Sequence, residues 1–268
     1  MEILQHSFFQ HALLGSLFLC IACGIVGTYI VARRLVFISG GITHASFGGL
    51  GLGFWLGINP IVSALIFSIA AAFSVEWLSK KQDIREDSAI AAVWSLGMAL
   101  GVIFIFLTPG YTPNISTYLF GNILTITRGD LWFVGALALG LILLFVFFYN
   151  AILYTAFDRE FAQTKGISVR WIENGMMLAI AITIVCSIRL VGIMLLLSLL
   201  TIPQMTANLF SNQFRYIILY SILIGLIGCI TGLFLSYYIN VPSGAAIIFV
   251  EVVVFLVCKL LNAKSRTQ

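Results

Sequence analysis

The polar stretch best suited to mechanical work is NAILYTAFDREFAQTKGISVR (150–170), which joins two apolar runs beyond the middle of this 268-residue chain. Within it, Glu160, Ala162 and Gly166 fall on a helical pattern of about two turns that a glycine can end in the left-handed conformation. A helix that short, standing out from a larger body, is a rigid knob able to seat in a groove on another subunit and pass on its movement. An ordinary solvated loop helix is the other reading of the same residues. The remaining groups with ligand chemistry lie inside apolar runs. His44 sits in the glycine-rich run VFISGGITHASFGGLGLGFWL, where an imidazole needs a polar partner or a water-filled lining. It serves either as a ligand on a pathway or in a buried structural hydrogen bond. Glu251 lies near the middle of the last apolar run, where an ionised carboxylate costs at least about 2.5–3.5 kcal/mol if the run crosses a bilayer. It must be neutralised, paired or facing water, and either conduction or a structural contact would satisfy that. Gln204, beside Pro203, poses the same alternatives.

The five cysteines (Cys20, Cys23, Cys186, Cys229, Cys258) all fall inside apolar runs, which argues against a secreted disulfide framework. Cys20 and Cys23 share one helical turn and are either a soft-metal pair or small residues at a helix interface. His6 and His11 stand near the N-terminus, either as interfacial residues or as a metal-capture pair. Every aspartate (Asp83, Asp87, Asp130, Asp158) maps to a joint between runs, and His44 and Ser46 are two apart on a helix and face different ways. The paired acids or the serine–histidine convergence of an intramembrane protease are therefore not to be found.

The elements that must hold these residues follow from composition. Hydrophobic residues make up 61% and charged residues 9% of the chain, against about 45–50% and about 25% in soluble domains. The expected fold is all-α, a polytopic transmembrane helical bundle of about nine spans with eight possible, near 11–32, 36–56, 60–78, 89–107, 131–149, 171–188, 190–207, 216–238 and 243–261. The pair 171–188 and 190–207 is divided by little more than Arg189 and reads either as two crossings or as one bent element. The second span carries Gly40, Gly41, Gly48, Gly49, Gly51 and Gly53, which predicts a helix that is broken or very closely packed. The joint 108–130 predicts a short helix along the membrane surface around Tyr118–Phe120. The whole chain reads as one transmembrane domain, 1–268, with 150–170 as a loop within it.

If 150–170 faces the cytoplasm, all but Arg128 and Arg189 of the 14 basic residues fall on the cytoplasmic side. That asymmetry predicts an external N-terminus, an internal C-terminus and a retained first run. The net charge of +4 is spread singly or in pairs at run ends, so it does not form the stripe that binds nucleic acid.

Five segments, RRLVFISGGITHASFGGLGLG, STYLFGNILTIT, FDREFAQTKGI, RLVGIMLLLSLLTIPQMTA and VPSGA, resemble in order and spacing the permease family of zinc, manganese and iron ABC importers. In that family's coupling pattern, Glu-Ala-Ala-x-x-x-Gly, the matching residues are Glu160, Ala162 and Gly166, with Phe161 in place of the first alanine. The resemblance implies a bacterial inner-membrane, multi-pass subunit that acts as a homodimer in membrane lipid. Its implied partners are a cytoplasmic ATP-binding subunit and an extracytoplasmic metal-binding protein. It implies no cofactor in this chain and no enzymatic activity of its own: the metal, zinc or manganese foremost, is cargo, and ATP belongs to the partner, in keeping with the lack of a Gly-x-x-x-x-Gly-Lys-Ser/Thr loop here. One departure stands out. The family's aspartate four residues before the histidine is Gly40 in this sequence, so the hard anionic ligand that suits Mn²⁺ is missing there. An ion-gradient-driven carrier is the competing reading, but such a carrier has no use for a docking knob at 157–166.

Overall fold

The computed structural model describes residues 6–82, 84–109, 121 and 123–266, and these are helical almost throughout. In chain order the helices are α1 (Ser7–Ala32), α2 (Val36–Leu56), α3 (Pro60–Lys81) and α4 (Glu86–Leu107), then a single 3₁₀ turn (Ile123–Thr125). They continue with α5 (Arg128–Phe157), α6 (Arg159–Thr164), α7 (Val169–Leu199), α8 (Ile202–Ala207), α9 (Phe214–Ile239) and α10 (Ser243–Arg266). Seven stretches are long and apolar enough to cross a membrane, with Val169–Ala207 counted as one. The glycine-rich α2, at 21 residues, is an eighth helix of full length. Residues 110–120, which include the expected surface helix around Tyr118–Phe120, lie outside the described residues.

Helix ends follow from local chemistry. Asn59 caps α3 by accepting from the Ile61 amide at 3.0 Å, with Pro60 at the first helical position where its missing N–H costs nothing. Thr127 and Asp130 form a reciprocal capping box at the start of α5. That helix runs on to Phe157, well past the expected limit of 149, with one non-helical residue at Phe148. The loop expected over 150–170 is correspondingly shorter, since its first residues complete α5.

The stretch 169–207 crosses the bundle and comes back. At one end, Glu173 near the start of α7 pairs with Arg33 at 2.7 Å. Phe214, which opens α9, lies 6.0 Å from Phe157, and Asn262 of α10 donates to the Leu209 carbonyl. At the opposite end, Arg189 faces Asp130 at 3.6 Å and Gly121 packs directly on Val191 and Gly192. Between Glu173 and Leu209 the chain thus reaches the far end and returns. The reversal is at Gly192, whose φ of 76° and ψ of 170° lie in a region open essentially to glycine alone. The pair 171–188 and 190–207 therefore forms two limbs, joined by a corner that hydropathy cannot see.

The core is built on α1 and the 169–207 limbs, the most buried of the apolar stretches. Without water to drive helices together, contact depends on packing and hydrogen bonding, so small residues sit where backbones meet. This decides between the two readings of α2, which is unbroken from Val36 to Leu56 and closely packed. A Cβ at Gly48 would stand 2.7 Å from the Gly97 carbonyl oxygen, and one at Gly51 would stand 2.5 Å from that of Gly101, both on α4. Gly49 meets the α3 backbone at Ala64 in the same way, and Gly41 meets the Ile90 side chain. Gly40 is the exception among the glycines expected to break or pack this helix. Its nearest neighbour is the Leu197 side chain at 3.8 Å, an ordinary contact, because at this level the facing element is a side-chain tip and not a backbone.

Candidate functional site

The knob at the α5–α7 joint exists as a six-residue helix. The chain leaves α5 at Asp158, whose extended backbone breaks the helix and whose carboxylate accepts from the Phe161 amide at 2.9 Å to start α6. Ala162 is fully buried, whereas Glu160 is exposed and Phe161 half-exposed against Tyr154. The helix ends at Gly166 with φ of 74°, where the Ile167 amide returns to the Ala162 carbonyl and the Gly166 amide to that of Gln163. These are the paired bonds of a Schellman motif. Among the described residues nothing lies within 4 Å of where a Gly166 Cβ would be, so it is the backbone angle and not crowding that calls for glycine.

Sequence reasoning missed what ties this knob to the bundle. Arg159 donates through Nε and Nη2 to the two carboxylate oxygens of Glu173, and Arg33 donates to the same carboxylate at 2.7 Å and to the Thr155 carbonyl at 3.2 Å. The hydrogen bonds to Glu173 hold the Arg159 guanidinium above its ordinary pKa. The available signal was a lone acid, Glu173, beside basic run ends, which charge counting alone did not assign.

His44 lies mid-helix on α2 with its ring flat on Trp94 of α4, centroids 4.2 Å apart and planes 10° from parallel. Its Nδ1 is buried and has no hydrogen-bond partner. Among the described residues no hydrogen bond reaches Nδ1, and the stack fixes the ring plane. Glu251 is elsewhere. It is 1% exposed, accepts a 2.6 Å hydrogen bond from Ser198 on the returning limb, and its stem fills the space at Gly228 of α9. The chain does not bring His44 and Glu251 together, and among the described residues no three His, Cys, Asp or Glu side chains form a metal cage.

Gln204 is fully buried and donates to the carbonyls of Cys23 and Leu199, closing the break between α7 and α8. Cys20 of α1 meets Cys229 of α9 with sulfurs 3.7 Å apart, an interface contact that Cys-x-x-Cys spacing did not foretell.

A bundle of apolar helices with a returning limb and a short capped helix at its end is the build of a polytopic membrane protein. The chain belongs to the ABC 3 transport family, whose model matches residues 5–262. It is 38% identical over 256 residues to an uncharacterized membrane protein of Synechocystis, covering 96% of this chain and 91% of that one. It is 32% identical over 262 residues to the manganese transport system membrane protein MntC of Listeria monocytogenes, covering 98% and 93%. A chain of the solved structure of PsaBC from Streptococcus pneumoniae in complex with Fab superposes with a TM-score of 0.87 at 30% identity, over 95% of this chain and 92% of that one.

Proposed function

We propose that this chain is the membrane-spanning subunit of an ATP-driven importer for a divalent transition metal, with manganese the first cargo to test and zinc the second. The observation that carries the reading is α6: a capped, six-residue helix at the end of the bundle, ended by a left-handed glycine and pinned by Arg159. An importer powered by a separate ATPase needs such a docking element, and an ion-gradient carrier has no use for it. The naming of MntC for manganese transport, at 32% identity over nearly the whole chain, supports the cargo.

Docking places α6 in the cytoplasm, and the same end holds Arg33, Arg34, Arg215 and the end of α10, in keeping with the positive-inside rule. The N-terminus is then outside the inner membrane, where a metal-binding protein delivers cargo, and the C-terminus is inside. Two copies make the pathway. His44 on α2, with a buried Nδ1 and no cage that includes it among the described residues, gains a counterpart when a second copy is related by a two-fold axis. Imidazole pairs bind such metals, and a shell that is incomplete lets the ion leave again. The Ser198 bond supports a structural role for Glu251, as the tether of the returning limb.

Accumulation of manganese, zinc and iron in cells with and without this chain, together with co-purification of an ATPase, tests the reading. Uptake of one of the three that needs both the chain and ATP hydrolysis is expected. Uptake that persists in cells depleted of ATP but holding an ion gradient would favour the carrier instead.

A further inference from the structure

The cluster Arg33–Glu173–Arg159 joins three elements: the corner after α1, the second turn of α7, and the first residue of the α6 knob. The Glu173 carboxylate is shared. One oxygen accepts from both Arg33 and Arg159, and the other accepts from Arg159 alone. Glu173 and Arg33 are largely shielded, with side chains 18% and 20% exposed, so screening by water is weaker than for a surface pair. Arg159 is about half exposed and reaches inward to meet them.

The corner that Arg33 belongs to is itself stiff. The Leu35 amide bonds to the Ile30 carbonyl at 2.8 Å and the Arg34 amide to that of Val31 at 3.1 Å, with Arg34 held at φ of 59°. This is a second Schellman motif, here with a non-glycine residue in the left-handed position, and α2 starts one residue beyond it at Val36. A displacement of Arg33 therefore passes directly to the base of α2, and His44 lies about 12 Å along the helix axis from its first residue, Val36, at 1.5 Å per residue. Arg33 also holds the last turn of α5 through Thr155, so the corner cannot yield without moving the root of the knob.

We propose that Glu173 is the positioning residue that couples the α6 knob to α2: through its shared carboxylate, movement of α6 on the ATPase is delivered to the helix that carries His44. This rests on the docking role proposed for α6. Hydrogen bonds between ionised partners are both stronger and more directional than neutral ones. A neutral isostere at 173 keeps the shape and loses the shared grip.

The test uses the whole transporter, permease with its ATPase in liposomes, supplied with Mn²⁺, and measures metal taken up per ATP hydrolysed. Glu173→Gln is expected to lower that ratio about tenfold while the complex still assembles and basal ATP hydrolysis remains. Arg159→Gln, at a half-exposed position outside the membrane, is expected to lower it similarly, and keeps the proposal testable if Glu173→Gln does not fold. The double variant is expected to be no worse than the more affected single one, because both act at one joint. A merely structural role would lower the melting temperature and the amount of complex and leave the ratio intact. An unchanged ratio in assembled Glu173→Gln or Arg159→Gln, or multiplying losses in the double variant, would overturn the coupling role. If the unaltered transporter itself shows no ATP-dependent uptake, it is the docking reading that fails.

Discussion

Replacing Gly166 separates backbone strain from crowding, and the structure sets the size of the effect. At φ of 74° a residue with a Cβ occupies the left-handed region, which costs about 1–2 kcal/mol for an ordinary L-residue and less for asparagine. Since nothing lies within 4 Å of the Cβ position, no steric term adds to this within the chain. The population of the properly ended knob then falls by about 5- to 30-fold in Gly166→Ala, from 1.4 kcal/mol per factor of ten, and by less in Gly166→Asn. Binding of the detergent-solubilised permease to its ATPase, and uptake by the reconstituted pair, should both follow the order Gly, Asn, Ala. Gly166→Leu should match Gly166→Ala if only the angle matters. If Leu is far worse than Ala, the docked partner covers this point and crowding dominates. Normal assembly and transport by both Ala and Leu variants would refute the role given to this turn.

The pathway offers a second test. His44→Ala should lower metal uptake at least tenfold with little loss of folded protein, since Nδ1 has no partner to lose, and wild-type uptake by a well-expressed variant would return His44 to a packing role. Gly40→Asp should fold, because its Cβ would meet only the Leu197 side chain at 3.8 Å, and should tighten Mn²⁺ binding relative to Zn²⁺ as measured by competition; an unchanged ratio would remove position 40 from the path. Ser198→Ala should destabilise the protein by about 1–3 kcal/mol by stranding a buried carboxylate, whereas Glu251→Gln keeps an acceptor and should retain uptake; loss of uptake in folded Glu251→Gln would place this residue in conduction. For orientation, cysteines placed at the exposed positions Gly129 and Lys165, with native thiols controlled, should react with an impermeant reagent in intact cells only at 129, and labelling at 165 would reverse the assignment.

Much of this protein is written locally. Runs of apolar residues at bilayer length set the helices, Asp158 and Gly166 bound the knob, and Asn59–Pro60 and Thr127 start helices by local bonds, because hydropathy and capping are properties of neighbours in sequence. The extension of α5 to Phe157 was not legible in hydropathy, and Arg189 marked a division near Gly192 without deciding between a bend and a reversal, since a reversal needs only one permitted φ and ψ. Whether the glycines of α2 meant a break or a seam depended on what faced them, and α4 supplies its own glycines at Gly97 and Gly101. The partners of single polar groups were the least predictable. Glu173 chooses Arg33 and Arg159, Ser198 chooses Glu251, and His44 stacks on Trp94 with Nδ1 left open. In a medium without water, each buried polar atom is decided by the few side chains that tertiary packing brings within about 3 Å, and sequence separation carries no information about which those are.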